Sequence, residues 1–132
     1  MNLDHIAIAV ADLDEAIGEY RRQYGVEPLY REVVEEQGVE EAMIPVGGSF
    51  IQLLQPLSHE TPVGRFVNKN GPGLHHVAYA VPSIEDALAH LNGEGVRLID
   101  DVPRTGGRGA KIAFVHPKEL AGTLIELVEL NE

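Results

Sequence analysis

The stretch DHIAIAV at residues 4–10 returns as HHVAYAV at residues 75–81. From the second residue on, both read His, apolar, Ala, apolar, Ala, Val. In a strand this alternation puts Ile, Val or Tyr on one face and leaves His and Ala on the other. The likeness then runs on, since Val10-Ala-Asp-Leu-Asp-Glu-Ala-Ile17 matches Val81-Pro-Ser-Ile-Glu-Asp-Ala-Leu88 in pattern, position by position. Twice, therefore, a strand leads into a helix, and the chain is a repeat of itself.

Local signals punctuate each copy. Asp12 with Glu15, and Ser83 with Asp86, have the spacing of a helix N-cap and its partner three residues on. Ile17, Tyr20 and Tyr24 make the apolar stripe of the first helix, and Ile84, Ala87, Leu88 and Leu91 that of the second. Gly25 and Gly93 stand where a left-handed residue would end each helix. The first copy reads as strand 3–10, helix 13–24 and strands near 28–35, 39–45 and 49–55. The second reads as strand 74–81, helix 84–92 and strands near 96–100, 110–115 and 122–129. Residues 1–57 and 73–132 are thus two βαβββ modules, with 58–72 as a connection carrying a short helix around Val63–Asn68. One such module has too little interior to be stable alone, so the two are expected to share a sheet within a single domain over 1–132.

Bulk properties narrow the function. Of the 132 residues, 44% are hydrophobic and evenly spread, enough for a real core. A net charge of −11 opposes binding to nucleic acid. No apolar run approaches the roughly 18 residues of a membrane span and no leader is visible, so a soluble cytoplasmic protein is expected. With no cysteine, a metal would have to be held by His, Gln, Asp or Glu. Four of the ten basic residues, Arg104, Arg108, Lys111 and Lys118, fall around the segment TGGRG. That stretch reads either as a solvated loop or as a mouth attracting phosphates or carboxylates.

Four polar side chains interrupt the apolar strands. His5 and His76 each head a face otherwise made of alanine, which leaves room beside the ring. Gln52 lies in SFIQLLQP and Glu126 at the same point of GTLIELVEL. Alone, each has an ordinary structural explanation, because single strand histidines are usually hydrogen-bonded core residues. A polar group inside such a run costs several kcal/mol unless it is paired or metal-bound. Together, two imidazoles, an amide oxygen and a carboxylate suit an octahedral N/O site. The set carries one negative charge, so a divalent ion would stay Lewis acidic, with two adjacent positions left for a substrate presenting two oxygens.

Paired βαβββ modules with His near each first strand and Gln or Glu near each last strand resemble the vicinal oxygen chelate (glyoxalase-type) superfamily. Within it the chain is similar to the methylmalonyl-CoA epimerase family over nearly its whole length, in LDHIAIAV, EEQGVEEAMIP, IQLLQPL, NGPGLHHVAYAV, GGRGAKIAFVHPKELAG and LIELVEL. The fold this resemblance implies is α+β, a shared, curved mixed sheet with the helices outside. It implies His5, Gln52, His76 and Glu126 as ligands of a divalent ion, with Co2+ or Mn2+ expected first and Ni2+ or Zn2+ also accommodated. It matches Glu41 to the family's catalytic carboxylate. Alternation pairs Glu41 with Val39 and Met43, and Glu40 with Ala42 and Ile44, and does not choose between the two faces.

The implied reaction removes the proton between the thioester carbonyl and the carboxylate of methylmalonyl-CoA and returns one to the opposite face, interconverting the 2R and 2S forms through an enolate. Glu41 would be one base and Glu126, through its unbound oxygen, the other. Arg108, Lys111 and Lys118 would face the CoA phosphates or the free carboxylate, on charge alone. A homodimer is implied as well. Competing readings are a lactoylglutathione lyase-type isomerase, an extradiol dioxygenase with three protein ligands, and a metal-free ligand-binding protein of the same fold. The carboxylate at Glu41, and the lack of an arginine near the N-terminus for a glutathione carboxylate, favour the epimerase over the lyase.

Overall fold

The computed structural model describes residues 1–130 of the chain. Its elements are β1 (Asn2–Ala9), α1 (Leu13–Tyr24), β2 (Tyr30–Val34), β3 (Val39–Val46), β4 (Ser49–Pro56), α2 (Pro62–Asn70), β5 (Gly73–Ala80), α3 (Ile84–Gly93), β6 (Arg104–Thr105), β7 (Lys111–Val115) and β8 (Ile125–Glu129). The chain divides into two compact units, His5–His75 and the remainder from His76 on together with Met1–Asp4.

In the first unit the strands run in the order β2-β3-β4-β1. β4 is parallel to β1 and antiparallel to β3, and β2 is antiparallel to β3. The second unit repeats this pattern as β5-β8-β7-β6, with β8 parallel to β5 and antiparallel to β7. Register repeats too. Gln52 lies opposite Ala7 and Glu126 opposite Ala78, each two residues beyond the strand's histidine.

Both helix starts follow their sequence signals. Asp12 accepts a hydrogen bond from the Glu15 amide at 3.0 Å, and Ser83 accepts one from Asp86 at 3.2 Å. A second tie comes from the strand beneath. The amide of Leu13 donates to Gln55 Oε1 at 2.7 Å and that of Ile84 to Glu129 Oε1 at 2.8 Å. These satisfy first-turn amides that the helix itself leaves open. The strands that carry Gln52 and Glu126 therefore each hold a helix N-terminus through the residue three positions on.

Packing uses both faces of each module. Leu13 and Ile17 of α1 cover Ala42, Ile44 and Leu53, while Ile84 and Leu88 of α3 cover Ala113, Val115 and Leu127. Each such side chain contributes roughly 1.5–3 kcal/mol on burial. On its other face the first module buries Ala7, Ala9, Val34, Val39 and Leu54 against Val63 of α2. The room left by those alanines is thus filled by α2, which starts at its N-cap Thr61 and Pro62. Gly64 makes this approach possible, since a Cβ there would meet the Ser58 carbonyl oxygen at 2.1 Å.

Three sequence expectations shift. No strand forms over 96–100, where only an isolated bridge links Leu98 to Val115. The Asp100 carboxylate instead accepts from the Phe114 amide at 2.9 Å, and β6 forms after Pro103 as a two-residue strand. Gly93 remains in α3, and Gly95 takes the left-handed conformation with φ +75°. Finally β8 begins at Ile125, because the preceding residues form a turn in which Ala121 and Gly122 have positive φ.

Candidate functional site

Five polar side chains singled out in the sequence lie on the strands and are withdrawn from solvent: His5 is 2% exposed, Glu41 3%, His76 5%, Glu126 6% and Gln52 8%. Groups of this kind are rarely buried without partners. Their positions follow from register, module by module.

In the first module β3 and β4 are antiparallel with Met43 opposite Gln52 and Glu41 opposite Leu54. Glu41 and Gln52 are therefore diagonal neighbours on one face, within side-chain reach. Gln52 Nε2 donates to Glu41 Oε1 at 3.2 Å. The amide oxygen of Gln52 is buried and accepts no hydrogen bond. Glu40 points the other way, where Arg31 Nη2 meets it at 3.0 Å while Nη1 reaches Asp14 at 2.6 Å. Of the two faces left open by alternation, that of Glu41 is the one shared with Gln52.

In the second module His76 Nε2 stands 3.3 Å from Glu126 Oε1. The His76 ring rests edge-on against Phe114, with centroids 5.6 Å apart and planes at 88°. Phe114 is the direct cross-strand partner of Glu126. The guanidinium of Arg104 covers the same ring at 5.4 Å and pairs with Asp100 at 3.3 Å. His76 is thus braced by an aromatic ring that is itself held from behind. Sequence reading passed over Phe114, although alternation in KIAFV already puts it on the face of Ile112, and took Arg104 only as part of the basic stretch.

The donor set fits a divalent cation. His5, His76 and Glu126 are residue types that together can hold a metal ion. A buried amide oxygen without a hydrogen bond, as at Gln52, is a group that a cation would satisfy. Two nitrogens and two oxygens with a single negative charge favour a borderline or hard ion over a soft one.

The basic stretch is engaged with acidic partners. Arg108 Nη2 lies 2.6 Å from Asp4 Oδ2, both side chains mostly buried. Arg108 holds φ +59° between two glycines, a conformation that costs a side-chain-bearing residue about 1 kcal/mol or more. Asp4 gave no signal beyond its place next to His5. Lys111 meets Glu85 at 3.1 Å and Glu129 at 3.9 Å. Its hydrogen bond to Glu85 holds the ammonium above its usual range and the Glu85 carboxyl below its own. Lys118 lies in the turn Pro117–Glu119, which is capped by His116 Nδ1 accepting from the Lys118 amide at 3.1 Å.

Residues 4–114 match the model of the glyoxalase/bleomycin resistance protein/dioxygenase superfamily. The chain belongs to that superfamily. An ethylmalonyl-CoA/methylmalonyl-CoA epimerase of Cereibacter sphaeroides is 35% identical over 97% of this chain and 97% of its own length. A variant of Streptomyces coelicolor methylmalonyl-CoA epimerase, in complex with 2-nitronate-propionyl-CoA, superposes with a TM-score of 0.95 at 42% identity, over 98% of this chain and 94% of that one. A methylmalonyl-CoA epimerase in complex with methylmalonyl-CoA and NH4+ gives 0.94 at 42% identity, over 98% and 94%. The fold is therefore the superfamily's α+β fold, with eight strands in mixed pairing and three α-helices. Among the described residues no helix is long and apolar enough to cross a membrane.

Proposed function

We infer that the protein is a methylmalonyl-CoA epimerase, an isomerase that inverts the carbon between a thioester carbonyl and a carboxylate. The observation that carries this reading is a carboxylate, Glu41, buried on the face of a ligand-bearing strand and held there by Gln52. A relative of nearly the same length bears that activity in its name, and one solved neighbour is complexed with the substrate itself.

His5, Gln52, His76 and Glu126 would hold a divalent ion, most readily Co2+ or Mn2+. When bound, the ion supplies Lewis acidity toward the two oxygens flanking the acidic carbon. Glu41, itself buried, takes the proton of that carbon onto its carboxylate. Glu126 delivers a proton to the opposite face through the oxygen it does not commit to the ion. Each turnover would leave Glu41 protonated and Glu126 ionised, and the reverse reaction, with the two roles exchanged, would restore both. Lys118, whose ammonium forms no ion pair among the described residues, is the first candidate for the CoA phosphates. Arg108 and Lys111 would contribute as a paired fringe. The protein acts as a cytoplasmic homodimer in this reading, and sedimentation of the purified protein at twice the 14.4 kDa chain mass tests the oligomeric part.

The reaction is tested by deuterium entry at the α-carbon of methylmalonyl-CoA in heavy water, with protein stripped of metal and resupplied with Co2+. Metal-dependent exchange with loss of chirality is expected, and its absence under every divalent ion would remove the assignment.

A further inference from the structure

The carboxamide of Gln52 has two ends with different surroundings. Its nitrogen donates to Glu41 Oε1 at 3.2 Å. Its oxygen, equally buried, accepts nothing from the protein. An amide is planar and its ends are not interchangeable. Turned over, the group would press a carbonyl oxygen against the Glu41 carboxylate and leave its NH2 where the unsatisfied oxygen now points. Whatever selects the present orientation therefore also decides whether Glu41 is held.

We propose that Gln52 couples cation binding to the placement of the base: an ion taken at Oε1 fixes the amide in the one orientation whose N–H holds Glu41. This rests on the epimerase reading given above and adds a second role to Gln52, that of a positioning residue for Glu41. Cross-strand geometry supports it, because with Met43 opposite Gln52 and Leu54 opposite Glu41 the two polar groups are diagonal neighbours on one face. The repeat supports it as well. At the point where β3 carries Glu41, one pair along from the ligand, β7 carries Ile112 opposite Val128. There the ligand is Glu126, a carboxylate with no N–H to give. The donor is present in the module that has a base to hold.

Gln52→Glu separates the two roles, since it keeps an oxygen ligand and removes the donor. Calorimetric titration with Co2+ should show affinity retained within about tenfold, while kcat falls about 10- to 100-fold, the usual loss when a charged group is deprived of a hydrogen bond. Retention of both affinity and kcat would overturn the coupling and leave Gln52 a ligand only. Should two adjacent carboxylates prevent that variant from folding, 15N-labelled protein gives the answer without catalysis. Zn2+ should slow solvent exchange of the Gln52 side-chain amide protons at least tenfold in the wild type but not in Glu41→Leu. Equal slowing in both proteins would overturn the proposal. Zn2+ protection that depends on Glu41, in a protein without epimerase activity, would reject the assigned reaction and leave the coupling standing.

Discussion

The two modules share a frame and differ in chemistry. In each, the strand that carries the buried polar side chain ties a helix N-terminus three residues later, with Gln52 and Gln55 in the first and Glu126 and Glu129 in the second. In each, a small residue at the middle of the third strand, Ala42 or Ala113, is wholly buried under the helix. Beside Gln52 and Glu126 they part company. The first module has Met43 and Glu41, and the second has Phe114 and Ile112. Duplication thus supplies a scaffold twice, while the buried carboxylate at Glu41 has an apolar counterpart in Ile112 and lies next to an amide able to donate to it.

The largest effect should come from that asymmetry. Glu41→Gln is expected to lower kcat by about 10²–10⁴-fold, measured as α-deuterium exchange, with little change in KM. Ile112→Val, its counterpart, should leave the rate within about twofold and cost only about 0.5–1.5 kcal/mol of stability. Equal rate losses in the two variants would break the comparison.

Loss of a ligand comes next and should be even-handed. Partners outside a metal's own ligands cost about 10–100-fold in affinity when removed, so His5→Ala and His76→Ala should each weaken Co2+ binding by more than that. Calorimetry that finds one histidine dispensable would assign the ion to a single module. The third effect belongs to one unit alone. Asp4→Asn leaves Arg108 without its close partner, and with that guanidinium side chain 21% exposed the cost should be about 2 kcal/mol, below the range for fully buried pairs. A thermal midpoint unchanged by this substitution would show the pair to be inert.

Smaller still are the helix ties. Gln55→Ala and Glu129→Ala should each cost about 1 kcal/mol in denaturant titration. Glu129 should lose the more, by about 0.3–1 kcal/mol at low salt, because a negative charge also suits the helix N-terminus. Identical losses at low and high salt would erase that distinction. At the bottom stands the surface bond of Lys111 to Glu85. The Glu85 carboxyl is depressed in the folded protein, so its contribution is present above its ordinary pKa of 4.5 and is lost as the pH falls through the lower folded value. Being fully exposed, the pair should leave Lys111→Ala with an unchanged midpoint at 0.15 M salt.

Much of this arrangement could be read before folding. The repeated phrase located both parallel strand pairs, and the spacing of Gln52 from His5 and of Glu126 from His76 anticipated their matching register, opposite Ala7 and Ala78. Helix starts were legible because Asp12 and Ser83 act through bonds only three residues long. What escaped depended on distant partners. Arg104, Arg108 and Lys111 read as a free basic stretch because their acidic partners Asp100, Asp4, Glu85 and Glu129 are scattered along the chain. The choice between Glu40 and Glu41 needed the β3–β4 register, which no local pattern supplies. The strand expected at 96–100 failed because Asp100 satisfies the Phe114 amide with a side chain where a backbone carbonyl was anticipated.

The bond between Asp4 and Arg108 spans 104 residues of chain, and the first four residues cluster with the module that is made last. At a synthesis rate of about 5–20 residues per second, roughly 5–20 s separate the making of Asp4 from that of Arg108. During that interval the beginning of β1 lacks its final neighbours, while His5 onward can already pair with β4. The bond from Asp4 to Arg108 is therefore a late contact, and a ribosome stalled before Arg108 would display Asp4 without it.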